Sequence, residues 1–463
     1  MAQPAAAAET AAPTRRGTEL VLLIFSAVIL TSATIVVEYS QQHTVTAQVL
    51  YYGGAFLVLY GAAHFAVRKW APYADPLMLP LVSVLNGIGL VMMHRLELAG
   101  EGSLTSKQVI FSTIGVVLFV LVLAFVQDHR TLSKYGYTCG FVGLGLLALP
   151  GMLPGSISEE KGAKLWIKIP ALGSIQPSEF AKILLLVFFA AFLVSKRELF
   201  TTAGRRFLGV DFPRAKDMMP VLVAWFLSIG IVVLEKDLGT SLLFFGTILV
   251  MLYIATERAV WVGLGLSLFA VGCVIAYNLF DHVQDRVETW LDPLGYGNNS
   301  YQLQQALFGM GNGGTIGSGL GGGRPDVTPL ASSDFIIPAL AEELGLVGAM
   351  AILLLYLLLM MRGLRSAMAV RDSFGKLFGG GLAFTLALQL FVVAGGVTGL
   401  IPMTGLTTPF LAAGGSSLLA NFVLVALLLR VSDAARRPQT PVSAKPKQAP
   451  IAEAHTELVE RPR

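Results

Sequence analysis

The sequence predicts an all-α polytopic membrane helix bundle of about 12 transmembrane helices, with a long external loop between spans nine and ten. Three observations predict it. Of 463 residues, 54% are hydrophobic and only 13% are charged, against about 25% charged in an average soluble domain. Apolar stretches recur along the chain, each near the ~20 residues that a bilayer-crossing helix needs. The Lys and Arg residues between them fall in alternate connections. A soluble chain of this composition would have to bury more apolar surface than one core holds. In lipid the backbone must satisfy its own hydrogen bonds, so the spans are helices.

The expected spans are 20–38, 48–67, 76–93, 108–127, 136–153, 177–195, 217–234, 240–255, 259–279, 335–361, 377–396 and 409–430. Residues 1–18, rich in Ala, Thr and Pro, read as a disordered cytoplasmic tail. The apolar run after them is longer than the core of a signal peptide and reads as the first span. Residues 432–463 are polar and charged and read as a disordered C-terminal tail. Cys139 and Cys273 lie in apolar runs and read as buried packing residues, with no disulfide. The six histidines show no metal-binding spacing. The net charge of +4 points to no particular partner, and no nucleic acid is expected.

Orientation follows from the basic residues. Arg15 and Arg16 precede span one, Arg68 and Lys69 follow span two, and Arg130 and Lys134 follow span four. Lys196, Arg205, Arg258, Arg362, Lys376 and Arg430 fall by parity on the same side. Basic loops stay in the cytoplasm, which places both termini there. The connections 154–176, 235–239, 280–334 and 397–408 then face outward, and all four are chemically unusual.

The first carries Lys161, Lys164 and Lys168 against the charge bias, which suits an anion; an ordinary solvated loop is the plain alternative. It leads through Gln176 and Pro177 into span six, where Glu179 and Lys182 sit three apart on one helix face and can pair. Such a pair is as readily structural as functional. The second is Glu235-Lys236-Asp237-Leu238-Gly239-Thr240-Ser241, a tight turn between two apolar runs. A simple turn favours Gly or Asn, so charges here point to a site.

In the third connection, Val283, Val287, Trp290 and Leu291 recur at helical spacing and Pro293 ends the run, which reads as an interfacial amphipathic helix. Leu303, Ala306, Leu307 and Met310 suggest a second one. The glycines from Gly317 to Gly322 match GxGxxG, but no strand precedes them and they face outward, so a nucleotide fingerprint is set aside in favour of close backbone approach or mobility. Asp334 leads into span ten, where Glu342 and Glu343 need partners or water. In the fourth, Pro402 to Gly405 and Thr407 to Phe410, followed by Gly414-Gly415-Ser416-Ser417, read as broken backbone lining a cavity or as small residues for helix packing.

Six segments together resemble the SEDS family, the RodA, FtsW and SpoVE proteins. They are GAKLWI at 162–167, QPSEFAK at 176–182, KDLGTS at 236–241, YQLQQALFGMGNGG from 301, SDFIIPALAEELGLVG at 333–348 and PMTG…TPF…GGSS at 402–417. The resemblance implies a transmembrane domain over 19–431, made of a core at 76–431 and an extra helix pair at 19–67. It implies a bacterial cytoplasmic-membrane peptidoglycan glycosyltransferase that polymerises lipid II on the external face, with a class B penicillin-binding protein as partner. Lipid II, lipid-linked glycan and membrane lipids are the expected ligands. The RodA branch is the nearer match. The chain departs from the family pattern at Glu235-Lys236, where Gln-Pro is usual, at Lys164 for Arg, at Val393 to Gly396 and at Ala412-Ala413.

On this reading Asp237 is the catalytic residue, accepting or orienting the acceptor hydroxyl. An ordinary Asp has a pKa of about 3.9, so it must be buried to serve as a base. The alternative is that Asp237 acts through a divalent cation, Mg or Mn; no other cofactor is expected. Lys164, Lys168 and Lys182 are candidates for the leaving pyrophosphate, and Gln176, Glu179, Thr240, Asp334 and Ser416 support the site. Two rivals stand beside it. Buried charges and broken helices also suit a lipid II flippase, and a non-catalytic scaffold of an elongation or division complex would need none of this chemistry.

Overall fold

The computed structural model describes residues 14–42, 44–45, 47–100, 102–160, 163–169, 173–196, 205–207, 210–212, 215–295 and 300–438. Among these, ten helices are long and apolar enough to cross a membrane, and Gly136–Met152 and Leu222–Leu234 are shorter apolar helices. In chain order the spans are Arg16–Gln42, Gln48–Trp70, Met78–Leu98, Leu104–Phe125, Gly136–Met152, Ser178–Ser195, Ala215–Leu234, Leu238–Thr256, Ala259–Leu279, Ile336–Ala369, Ser373–Val397 and Gly415–Arg436. One helix answers each expected span. The chain is a multi-pass membrane protein.

The third and twelfth spans are the most enclosed, and the ninth, with 11% of its length buried, is peripheral. Cys273 on that ninth span is therefore exposed, contrary to its expected burial, while Cys139 is half-buried; both are free thiols. The two amphipathic segments form helices at Asp281–Leu291 and Tyr301–Gly313. Short antiparallel ribbons pair Glu159–Glu160 with Ala163–Lys164 and Ile167–Ile169 with Gly173–Ile175.

Polar clamps set the ends of the bundle. The first helix begins at Arg16, inside the expected tail, because Arg16 binds Glu19 and the carbonyls of Pro72 and Ala74. His64 completes this knot at 2.7 Å from Glu19. The twelfth helix runs to Arg436, beyond the expected boundary at 431. Asp433 accepts from the Tyr73 amide at 2.8 Å, and Arg436 pairs with Asp75. Arg430, deep in that helix, gives its guanidinium to the carbonyls of Trp70 and Leu123, near the C-terminal ends of spans two and four, where cations are favoured. Residues 1–13 and 439–463 lie outside the described residues.

The glycine-rich stretch after Tyr301–Gly313 has a backbone role. Span ten breaks at Gly345, which adopts φ 70° and ψ −175°. A helix break leaves backbone groups without helical partners. Here the glycine-rich loop supplies them: Ser318 and Gly319 donate to the carbonyls of Glu342 and Glu343, and Leu346 and Val347 donate to Gly314 and Thr315. Glu343 is met by Arg95 at 2.8 Å and by the Gly321 amide, and Glu342 by the Arg324 amide. Both buried carboxylates thus have their partners.

Candidate active site

Asp237 ends a two-residue turn and caps the eighth span. Lys236 before it takes a left-handed conformation, φ 66°, uncommon for a residue with a side chain. That conformation throws Lys236 outward and leaves Glu235 and Asp237 buried on either side of it. As N-cap, Asp237 accepts from the Thr240 amide at 3.0 Å and from the Thr240 hydroxyl at 2.7 Å. Gly239 is required between them: a Cβ there would lie 2.6 Å from Leu406 and 3.0 Å from the Thr404 carbonyl.

Two other spans begin at the same place. Gln176, just before span six, reaches Asp237 Oδ2 with its side-chain amide at 3.2 Å, and its backbone amide donates to Ser416 Oγ at 2.8 Å. Ser416 lies in the first turn of span twelve. Three helix N-termini therefore converge on Asp237, each carrying partial positive charge suited to an anion. The interfacial helix Asp281–Leu291 closes the other side. Its Arg286 donates to the carbonyls of Met403 and Thr404, at 3.3 and 3.0 Å, and its charge acts on both Asp237 and Asp334.

Two clefts lie nearby, one beside Arg286 and one lined by the turn itself. One, of about 310 Å³, is lined by His282, Arg286, Gln302, Asp334 and Met403. The other, of about 450 Å³, is lined by Glu159, Lys164, Glu235 and Lys236. Burial pushes the Asp237 carboxyl above its usual range, although hydrogen bonds from Thr240 draw it back down. Asp237 is thereby a better proton acceptor than a free aspartate. Burial pushes Glu235 up to about 7, against a hydrogen bond from Gly151 and with the Asp237 charge adding to the rise.

Most of the expected site residues meet here. Asp237, Gln176, Thr240 and Ser416 form one hydrogen-bonded group, Asp334 lines the Arg286 cleft, and Lys164 lines the other. Glu179 and Lys182 pair at 2.5 Å behind Asp237, and Lys182 Nζ also lies 3.3 Å from Gln389 Oε1. Gln389 in turn donates to the Thr407 carbonyl at 2.9 Å. Lys168 is exposed on its ribbon, away from this group, and Lys161 lies outside the described residues. Sequence reasoning missed Arg286, Gln389 and the burial of Glu235. Gln389, an amide within an apolar span, left a usable signal. Arg286 left none, since an arginine on an interfacial helix is ordinary.

A sequence profile described as "Cell cycle protein", covering FtsW, RodA and SpoVE, matches residues 75–437. The chain belongs to this family. The peptidoglycan glycosyltransferase RodA of Mycobacterium tuberculosis is 54% identical over 457 residues, 97% of each chain. The stage V sporulation protein E of Bacillus subtilis is 35% identical over 79% of this chain and 98% of its own. Among solved structures, one described as coordinating polymerization and crosslinking in a peptidoglycan synthase complex aligns with TM-score 0.63 and 26% identity, over 79% of this chain and 99% of its own. The crystal structure of RodA from Thermus thermophilus aligns with TM-score 0.58 over 79% and 98%. The family match begins at residue 75, after the first two spans.

Within this family member, the Glu179–Lys182 pair is expected to act as a unit. Removing one partner of a buried pair leaves an uncompensated charge, at a cost of about 3–5 kcal/mol. Lys182→Met and Glu179→Ala should each lower the melting midpoint of the purified protein and its activity. Wild-type melting and activity in both variants would mean that the pair is dispensable.

Proposed function

We propose that this chain is a peptidoglycan glycosyltransferase that polymerises lipid II, with Asp237 taking up the proton of the acceptor hydroxyl. The observation that carries it is a buried carboxylate held by Gln176 and Thr240 at the N-termini of spans six and eight, under the charge of Arg286. A new bond joins the acceptor oxygen to the anomeric carbon of the lipid-linked glycan. The bond from that carbon to the pyrophosphate breaks, and the electron pair leaves with the pyrophosphate. The hydroxyl proton passes to Asp237, whose burial raises its basicity. Gln176 and Thr240 hold the carboxylate in one orientation, and Ser416 fixes Gln176. Arg286, Lys164 and the helix N-termini offset the negative charge that develops on the pyrophosphate. Lys168, exposed on its ribbon away from this group, takes no part in the step, and Asp334 shares Arg286 with Asp237. Glu179 and Lys182 act through Gln389, which steadies the backbone at Thr407.

A Mg or Mn ion is the second way for Asp237 to act. Among the described residues no three His, Cys, Asp or Glu side chains form a metal-holding group. Asp237 would be the residue to hold such an ion, with water or substrate oxygens as its other ligands, and the ion would supply charge stabilisation for the leaving pyrophosphate. The proposal places this face outside the bacterial cytoplasmic membrane with both termini in the cytoplasm. The basic residues in the opposite connections support that orientation. Cysteines introduced at 160 and 320 should react with an impermeant reagent in intact cells, and one at 205 should not. Labelling at 205 would reverse the orientation.

The likeness to a subunit of a peptidoglycan synthase complex supports a class B penicillin-binding protein as partner. The direct experiment incubates purified chain, with and without that partner, with labelled lipid II. Glycan ladders on a gel, stronger with the partner, are expected. Movement of lipid II across vesicles without any ladder would favour the flippase reading, and neither activity would favour the scaffold.

A further inference from the structure

The first four spans enclose a cavity that shares no lining residue with the clefts at Asp237. Its volume is about 280 Å³, and its walls include Leu30, Phe56, Leu59, Leu90 and Val109. Two more lining residues, Val58 and Thr113, are exposed on spans two and four. Those spans face the bilayer there, so the cavity opens toward hydrocarbon. An apolar cavity stays dry and takes apolar guests.

The polar atoms are sorted by depth. Deeper in the walls, the Thr34 and Thr113 hydroxyls donate to carbonyls one turn back, and Ser112 donates to Asn86. At the end that carries Asp237, the buried Thr105 hydroxyl has no hydrogen-bond partner. Thr105 is the second residue of its helix, so no helical carbonyl lies one turn behind it. His94 lines the same end; its Nε2 makes no hydrogen bond and lies 3.4 Å from Glu38. The cavity thus has a polar cap at interfacial depth above an apolar shaft, which is the layout of a lipid.

We propose that this cavity binds one acyl chain of a membrane phospholipid, whose ester or phosphate oxygens accept from Thr105 and approach His94. The proposal is independent of the glycosyltransferase reading, because the cavity shares no lining residue with the clefts near Asp237, and about half of its lining comes from the two spans that precede the family match. Its occupant would join the extra helix pair to spans three and four. Ser112 in its wall also hydrogen-bonds Asn86, which reaches the Phe410 carbonyl at 3.4 Å, so the lipid would brace the same broken backbone that borders Asp237.

The test uses the full chain in vesicles of phosphatidylglycerol and phosphatidylethanolamine, doped with phosphatidylcholine bearing a diazirine on one acyl chain. After irradiation, adducts are mapped by peptide mass spectrometry. Adducts should concentrate on residues 52–59 and 105–113. Leu59→Trp, which fills the shaft, should cut them about tenfold. Thr105→Val should cut them about fivefold, as for loss of one hydrogen bond, while Thr105→Ser should restore them. The milder Thr105 pair keeps the test valid should Leu59→Trp fail to fold, and labelling at the lipid-facing Phe65 should not change. Adducts spread evenly over the lipid-facing belt, or undiminished in monodisperse variants, would overturn the proposal. Stronger labelling of the same peptides by a diazirine prenyl phosphate in a parallel arm would overturn the phospholipid assignment.

Discussion

Asp237→Asn is expected to fold, reach the membrane and bind its partner, yet to form almost no glycan polymer. Asparagine keeps the size and can still accept from Thr240, so the cap on span eight survives. It loses the charge that faces Arg286 and the capacity to take a proton. General base catalysis contributes about 10²–10⁴-fold, and polymer yield should fall by that order. Asp237→Glu should recover little, because the longer side chain displaces the carboxylate from the three hydrogen bonds that orient it. The measurement is glycan length on a gel from complexes of matched monodispersity. Wild-type polymer from the Asn variant would remove Asp237 from the chemistry and reopen the transporter reading.

Gly345→Ala should damage the fold itself. Its backbone lies in a region that is essentially glycine-only, which costs about 1–3 kcal/mol for other residues. A Cβ there would also lie 2.3 Å from the Gly317 nitrogen and 2.6 Å from the Thr315 carbonyl. Those are backbone atoms held by hydrogen bonds, so they cannot rotate away as a side chain would. The break in span ten and the glycine-rich loop should separate together, exposing Glu342 and Glu343. The expected result is loss of the monodisperse peak, or a melting midpoint lowered by several degrees, as read by fluorescence size-exclusion after heating. Gly311→Ala, with nothing within 4 Å and an ordinary helical backbone, is the control and should melt like wild type. A Gly345→Ala protein as stable as that control would show that the pairing contributes nothing.

Much of this was legible along the chain. Apolar length marked all twelve spans. The alternation of basic loops marked four connections as belonging to one end, and the structure joins residues from all four: Gln176, Asp237, Arg286 and Thr404. The charged turn at Glu235 to Asp237 stood out because its residues suit neither lipid nor a plain turn. The glycine run was legible as close backbone approach or mobility; its partner, the break in span ten that decides for close approach, was not.

What the sequence by itself determined were properties carried by neighbouring residues: the spans, the Glu179–Lys182 spacing on one helix face and the presence of costly charges at Asp237, Glu179 and Lys182. These follow from local free energies of transfer and from helix geometry, which a window of ~20 residues contains. The tertiary structure alone decided which distant groups share a dielectric. Arg286 became a site residue only when its interfacial helix folded over Thr404, and Gln389 only when span eleven placed its amide between Lys182 and Thr407. The glycine-rich loop met its partner when span ten broke at Gly345, and the first helix pair enclosed its cavity when Phe56 and Leu59 faced Leu90 and Val109. Each of these depends on contacts between segments far apart in the chain, where no local propensity distinguishes a buried partner from a solvated one.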